Sequence, residues 1–426
     1  MKQREYPRLR ETVYEEILPN GLRVSVVPRP GFSRKEAFFV TDFGSIHTEF
    51  RLDGKDYTVP DGVAHYLEHK LFDLPGRDVS TEFAALGAST NAFTSYDVTA
   101  YYFSCTDHFE QCLRLLLEFV STPYFTEESV EKERGIIGQE IGMNEDNAES
   151  VAFEELCRAL YREHNIRVPI LGTQQTIARI TPEILYTCHR AFYIPGNMML
   201  CVAGDVDPEA VAAIARELLP KDPMPTAEKR DPQEQSLGSV TVLVRREMDV
   251  AMPNFQLGFK CEPLSRGEAG ARQEIIGDLA AEALFGESSP LYLRLYEQGL
   301  IDSSFGGGFE SVAGMAMLTC GGDSRDAQAV EKAIVEQAEA LAAEGIPEAD
   351  FLRMKKSALG RKVRELDSFT GTCVRLCTDR FADFDYFTFP QVLESVTAAE
   401  VAAFLGRGVR RERSALAVID PRKQEA

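Results

Sequence analysis

Two stretches of this chain end alike. TPEILYTCHRAFYIPGNMMLCV runs from Thr181, and TAAEVAAFLGRGVRRERSALAV runs from Thr397, a shift of 216 (397 − 181). Each reads as a threonine-capped helix, a turn and a buried strand. Their beginnings also echo. VTVLV at 240–244 matches RVSVV at 23–27, and FQLGF at 255–259 matches FFVTD at 38–42, a shift of 217 (240 − 23 and 255 − 38). Order and register agreeing at both ends of so long a period predict two copies of one domain. Between them, LLPKDPMPTAEKRDPQEQSLG at 218–238 is rich in proline and charge and poor in apolar residues, so it reads as a linker. The expectation is an α+β protein of two tandem homologous domains, 1–217 and 239–426, joined by 218–238.

Within the first copy the local signals are readable. Asn20-Gly21 is a hairpin-type turn. LRVSVVP (22–28) and EAFFVTDFGS (36–45) read as strands, and ASTNAFTSYDVTAYYFSC (88–105) as a hairpin or long strand. An amphipathic helix is predicted from His108 to Val120, and further helices from Thr126 to about residue 146 and from Pro182 through PEILYTCHRAFY. GGGFESVAGM (306–315) lacks a GxGxxG pattern and a phosphate-binding lysine, so it reads as a loop or strand turn.

The formal charge of −21 argues against general binding to nucleic acid or anionic membranes and would suit basic peptides. No apolar run reaches the roughly 18 residues of a membrane span. MKQREYPRLRETVYEE is charged and lacks the apolar core of a signal peptide. The nine cysteines form no CxxC pair, and most lie in apolar segments, which predicts reduced, buried thiols and a cytoplasmic setting.

Chemistry concentrates at HYLEH, residues 65–69. On a helix, His65 and His69 lie on one face, one turn apart, where two imidazoles can grip one divalent ion such as zinc. Glu68 borders that face, close enough to take a proton from a water beside the ion. Two of only six histidines sit here, among apolar Val63, Ala64, Leu67, Leu71 and Phe72, as expected of a buried helix. The second copy lacks the motif: HKLF at 69–72 lines up with EALF at 282–285, and no histidine follows His189. Catalysis is therefore expected in the first half alone.

A catalytic zinc needs a third protein ligand. In EKERGIIGQEIGMNED, Glu133 and Glu140 are separated by two helical turns, about 700° around the axis, so they share a face. On spacing alone Glu145 and Glu149 are rivals. Gly135, Gly138 and Gly142 form a stripe on roughly the opposite face, and the expectation is that another backbone packs there. Each glycine would otherwise cost the helix up to about 1 kcal/mol.

HYLEH, then NAFTS at 91–95, then ER-x5-E at 133–140, with an interval of 71 between His69 and Glu140 (140 − 69), resemble the pitrilysin/insulinase family of zinc peptidases, the inverzincins. The resemblance runs from NGLRVSVVP to CVAGDVDP and more weakly beyond. It implies two α/β sandwich domains, similar to processing peptidases and LuxS, that form half of a clamshell. It further implies one zinc per chain held by His65, His69 and Glu140. Glu68 would be the general base, and Glu133 a supporting acid that orients a ligand histidine. Asn91 and Ala92 would lie on a strand that adds the substrate peptide along its edge. The implied activity is hydrolysis of peptides or short unfolded polypeptides in a closed chamber. A non-catalytic assembly subunit is the alternative, as is a maturation factor of the kind linked to elongation factor P, which no residue here indicates. Many members of the family carry R-x-x-x-G-L-x-Y in the second half, and its arginine and tyrosine contact substrate. Here the matching segment is LYEQGLID, with Leu295 and Asp302 at those positions. Arg294 and Tyr296 flank the first of them but point about 100° away on a helix. That departure implies a homologous partner subunit supplying the arginine and tyrosine, or a homodimer with different substrate contacts.

Overall fold

The computed structural model describes residues 1–422. Its layers follow from a few apolar runs. Residues 37–40 (AFFV), the whole strand Met198–Gly204 and residues 414–419 are buried, as strands covered on both faces must be. These strands are the middle of two sheets. The first has seven strands in the order Lys2–Tyr6, Glu11–Ile17, Arg23–Pro28, Met198–Gly204, Lys35–Thr41, Thr99–Cys105, Ser89–Thr94. The second has five, in the order Leu243–Met248, Ser414–Pro421, Asn254–Cys261, Met315–Asp323, Gly306–Val312. Without its first two strands, the larger sheet has the same order as the smaller. In each, one pair is parallel, Arg23–Pro28 with Met198–Gly204 and Leu243–Met248 with Ser414–Pro421. The α+β duplication is thus present in the topology. The glycine-rich stretch after residue 305 is an edge strand, Gly306–Val312, followed by a tight turn at Gly314.

The capped helices anchor the comparison of the two copies. Thr181 caps Pro182–Phe192, and Thr397 caps Ala398–Gly408 through a capping box with Glu400. Met198 and Ser414 therefore correspond. Met198 pairs with Thr41, and Ser414 with Phe259, so Thr41 answers to Phe259, a shift of 218 (259 − 41). By the same ladder Val24 answers to Leu243. The echo read from sequence differs from the ladder by one position at the first of these strands and by two relative to the strand that carries Leu243. Apolar runs buried on both faces do not report such a slip, because either register keeps apolar residues in both layers.

Each sheet is a sandwich filling. In the first, Val24, Val26, Phe39, Tyr101, Phe103, Leu200 and Val202 share one core with the helices Val63–Leu71, Phe109–Ser121, Pro182–Phe192 and Pro208–Leu218. The alternate residues face the other way, where Phe369–Phe381 packs on Met198–Gly204 and Lys35–Thr41. In the second sheet, Gly267–Phe285, Ala327–Glu344 and Ala398–Gly408 cover one face and Ala148–Leu160 the other. The compact units accordingly differ from contiguous halves. One gathers Met1–Ile141, Pro169–Asp231 and Val363–Thr388; the other gathers Gly142–Val168, Pro232–Lys362 and the chain from Phe389. Each takes a covering helix from the other repeat.

The stretch expected as a linker has specific partners. Glu228–Lys229 pairs with Glu49–Leu52, and Asp231 Oδ1 accepts from the Thr48 and Glu49 amides at 3.0 and 3.4 Å. Glu234 accepts from the amides of Arg162 and Glu163 and from Lys260 Nζ at 3.1 Å. A polar, proline-rich composition reports solvation, and it does not show that two carboxylates will find backbone donors. All nine cysteines are buried and unpaired. Among the described residues no helix is long and apolar enough to cross a membrane.

Leu156, fully buried on the borrowed helix Ala148–Leu160, reaches the second sheet at Gly258. Leu156→Ala should cost about 2–5 kcal/mol in urea unfolding, the usual range for an emptied core site. A loss near zero would mean that this helix does not cover the sheet.

Candidate metal centre

HYLEH folds as the helix Val63–Leu71. Gly62 sets its entry: φ is 87°, and a Cβ there would lie 2.4 Å from the Leu171 carbonyl oxygen, so only glycine fits. Val63, Ala64, Tyr66, Leu67 and Leu71 bury the rest of the helix and fix its rotation. The second helix, Glu127–Glu145, turns Val130, Ile137 and Ile141 into the core. The Tyr66 hydroxyl donates to the Val130 carbonyl and ties the two helices together.

That tie brings three candidate ligands to one place. The His65 and His69 rings stand 4.6 Å apart, and the Nε2 atom of each lies 3.7 Å from Glu140 Oε2. Ligand atoms of His65, His69 and Glu140 all fall within 4.8 Å of one another, the one such group among the described residues. Glu145 and Glu149, the rivals on spacing, are outside it. Glu133 Oε1 lies 2.9 Å from His69 Nδ1. A carboxylate only accepts, so His69 donates from Nδ1 and turns the Nε2 lone pair toward Glu140. Two ligands about 2.1 Å from one zinc stand roughly 3.4–3.6 Å apart. The two nitrogen-to-carboxylate separations, at 3.7 Å each, are too long for hydrogen bonds and lie close to that ligand spacing. Nitrogen and carboxylate donors so placed fit zinc. His65 Nδ1 is buried without a hydrogen-bond partner.

Electrostatics separate the two rings. Burial, helped by the neighbouring His69 charge, pushes the His65 pKa down to about 3, so this ring is neutral and ready to ligate. Burial acts the same way on His69 but is outweighed by the Glu133 hydrogen bond and by the charges of Glu68, Glu133 and Glu140, which hold it above its ordinary value. Glu68 is 9% exposed, and burial raises its pKa against the opposing hydrogen bond from Thr94 Oγ1, 2.6 Å from Glu68 Oε2. Thr94 lies within the NAFTS segment, but sequence reasoning gave it no part. Its signal was a hydroxyl on the same strand as Asn91, beside the motif.

The remaining candidates occupy the surroundings. Asn91 and Ala92 sit on Ser89–Thr94, the outer strand of the seven-stranded sheet, opposite Tyr102 and Tyr101. Asn91 is exposed, and its Oδ1 accepts from the Ala92 amide at 2.9 Å. The glycine stripe is corrected. A Cβ at Gly135 or Gly142 would meet nothing within 4 Å, and Gly138 meets only the Gln174 side chain, whose Nε2 donates to its carbonyl. No backbone packs there, because the helix uses its Val130, Ile137 and Ile141 face instead. Leu295 is fully buried, and the Asp302 carboxylate closes a local turn onto Ser304.

The family model "Insulinase (Peptidase family M16)" matches residues 54–174, and "Peptidase M16 inactive domain" matches 179–358. The chain is 37% identical to the uncharacterized zinc protease YmfH of Bacillus subtilis over 98% of its own length and 99% of the relative's. Among solved structures, an M16-like peptidase from Alicyclobacillus acidocaldarius is 32% identical. It superimposes with a TM-score of 0.93 over 97% of this chain and 99% of that one. A protease from Helicobacter pylori, 20% identical, shares the fold with a TM-score of 0.79 over 96% and 99% of the two chains.

Because His69 is held above its ordinary pKa and His65 far below, protons should compete with zinc at His69 well before His65 as pH falls. Zinc affinity should fall about tenfold per unit as pH drops below the His69 pKa, with one proton released on binding. Calorimetry in buffers of differing ionisation heat measures that proton. His69→Ala should abolish one-to-one zinc loading, and an unchanged stoichiometry would exclude this ligand.

Proposed function

The chain belongs to the insulinase family, peptidase family M16, and from that membership we propose that it is a zinc metalloendopeptidase acting on peptides or short unfolded polypeptides. The observation that carries the reading is the convergence of His65, His69 and Glu140 beside a buried Glu68. In this reading His65, His69 and Glu140 hold one zinc per chain. The ion would supply Lewis acidity, polarising the scissile carbonyl and making a nearby water a stronger acid.

The other parts belong to the protein. Glu68 takes a proton from the attacking water and returns it to the leaving amine, so one carboxylate serves as base and then as acid. Its burial raises its pKa, which suits a group that must both accept and release a proton. Glu133 fixes the ring and tautomer of His69. The Ser89–Thr94 strand leaves one edge unpaired in its sheet, and a substrate peptide can add there through its own backbone, with Asn91 and Ala92 at the contact. Recognition through backbone tolerates many sequences and favours extended, unfolded segments. Such a site belongs in a closed chamber that admits short chains, and the acidic protein would favour basic ones.

The second half matches an inactive-domain model, and Leu295 lies in the core while Asp302 is spent on a turn. We therefore assign substrate contacts on that side to a partner, either a homologous subunit carrying the arginine and tyrosine or a second copy of this chain. A purely non-catalytic role would leave the intact ligand set without a use.

Glu68→Gln should retain one zinc and lose about 10²- to 10⁴-fold in peptide turnover, the usual worth of a general base. Full activity in that variant would refute the assignment. Separately, adding a homologous subunit that bears the arginine and tyrosine should raise kcat/KM. A rate independent of any partner, in a chain that stays monomeric, would sink the shared-site reading.

A further inference from the structure

We propose that Thr94 is the positioning residue of this site: its hydroxyl holds one oxygen of Glu68 and so presents the other for the proton. The inference rests on the peptidase reading and extends it to a residue outside the ligand set and the base.

Threonine favours strands, so a threonine at the end of one needs no special reason. What its hydroxyl does is the informative part. Three nearby threonines of the same sheet spend theirs on backbone carbonyls: Thr41 on Phe192 at 2.7 Å, Thr99 on Phe43 at 2.9 Å and Thr90 on Tyr102 at 3.0 Å. Those bonds fasten the sheet to its surroundings. Thr94 instead donates to Glu68 Oε2 at 2.6 Å, a charge-assisted bond between side chains of two different elements. Each carboxylate oxygen can accept more than once, but the bond from Thr94 makes Oε2 the less basic of the two and leaves Oε1 the better acceptor of a proton.

The second repeat supplies the control. Walking across the first sheet, Met198 pairs with Thr41, Thr41 with Thr99, and Thr99 with Thr94. The same walk in the second sheet runs Ser414, Phe259, Leu318, Phe309. Phe309 therefore stands where Thr94 stands. Its ring presses on the helix Gly267–Phe285, where a Cβ at Gly277 would lie 2.4 Å from it. The fold at this position accepts an apolar contact between edge strand and helix. It carries a hydroxyl in the repeat whose helix carries Glu68, and an aromatic ring in the repeat whose helix lacks the histidine–glutamate motif. A structural role would be met by either, whereas holding a carboxylate is met only by Thr94.

Thr94 also shares its face of the strand with Ala92, since alternate residues of a strand point the same way. The strand proposed to seat the peptide thus also aims the base, so the two are placed in one frame. Removing the hydroxyl should misplace the base and leave the peptide-binding edge intact.

The test compares the wild type with T94V, which keeps the shape, and T94S, which keeps the hydroxyl, all as zinc-loaded full-length chains. T94V should bind one zinc, keep KM within about twofold and lose about 10- to 100-fold in kcat, as a misplaced catalytic group does. T94S should restore kcat to within about threefold, since the donor is kept. A measurement free of activity accompanies these, the urea midpoint of the metal-free chain in a cycle of T94V, E68A, which removes the acceptor, and the double variant. The double variant should unfold with a midpoint no lower than the weaker single variant, because both remove one bond. Additive losses in that cycle, or a T94V enzyme as fast as an active wild type, would overturn the role alone. A wild type that binds no zinc, or that cleaves no peptide even with the homologous subunit bearing the arginine and tyrosine present, would sink the peptidase reading and the role with it.

Discussion

Burying both faces of the central strands is the constraint from which this architecture follows. Met198–Gly204 has no exposed residue, and the run from Ser414 to Ile419 has none either. A strand of that composition needs a layer above and a layer below, because leaving one face in water would expose a row of large apolar side chains. Each repeat supplies one layer from its own neighbouring helices. The other layer comes from Phe369–Phe381 in one unit and Ala148–Leu160 in the other, each a helix of the opposite repeat. A contiguous half would fold with one side of its sheet bare, so duplication and exchange of the covering helix are one solution to one problem.

The candidate metal centre lies where that layering ends. The outer strand Ser89–Thr94 has a paired side and an open side, and the motif helix packs beside it. Everything that fixes the candidate ligands is apolar or satisfied locally: buried Val130, Ile137 and Ile141 orient one helix, Val63, Leu67 and Leu71 the other, and Tyr66 joins them. The polar groups are then arranged in a graded environment. His65 is deepest and kept neutral by burial. His69, more exposed, is kept basic by Glu133. Glu140 is half-buried and faces both. A rigid apolar frame that aims a few polar groups needs little reorganisation when charge develops.

Much of this was written in the sequence, and the parts that were not share a cause. The motif helix, the glutamate helix, the hairpin strands and the threonine caps all rest on contacts within a few residues, which local pattern reports. His65 and His69 belong together by spacing alone. Glu140, far along the chain, needed the joint pattern with NAFTS and ER-x5-E to stand out from Glu145 and Glu149. The exchanged helices were illegible because amphipathic periodicity shows that a helix has an apolar face and not which sheet receives it. The glycine stripe misled for the same reason: glycine permits close approach, but a partner must be present, and at Gly135 and Gly142 there is none. Asp231 and Glu234 looked like linker residues until the backbone donors they satisfy were in view.

The two repeats also show how one fold comes to divide its labour. The edge strands show it at one pair of matching places: Thr94 in the first repeat answers to Phe309 in the second, whose ring packs on its own helix. A buried carboxylate with no ion or donor to meet it is costly, so a repeat without a metal gains by losing the surrounding polar set as well. Apolar replacement then accumulates through stability alone, position by position, until the second sheet is packed for stability and the first keeps the polar set. The same pressure would act on a substrate-binding arginine that had become redundant beside a partner's. Leu295, buried in the core, is a residue that stability alone would favour at such a position.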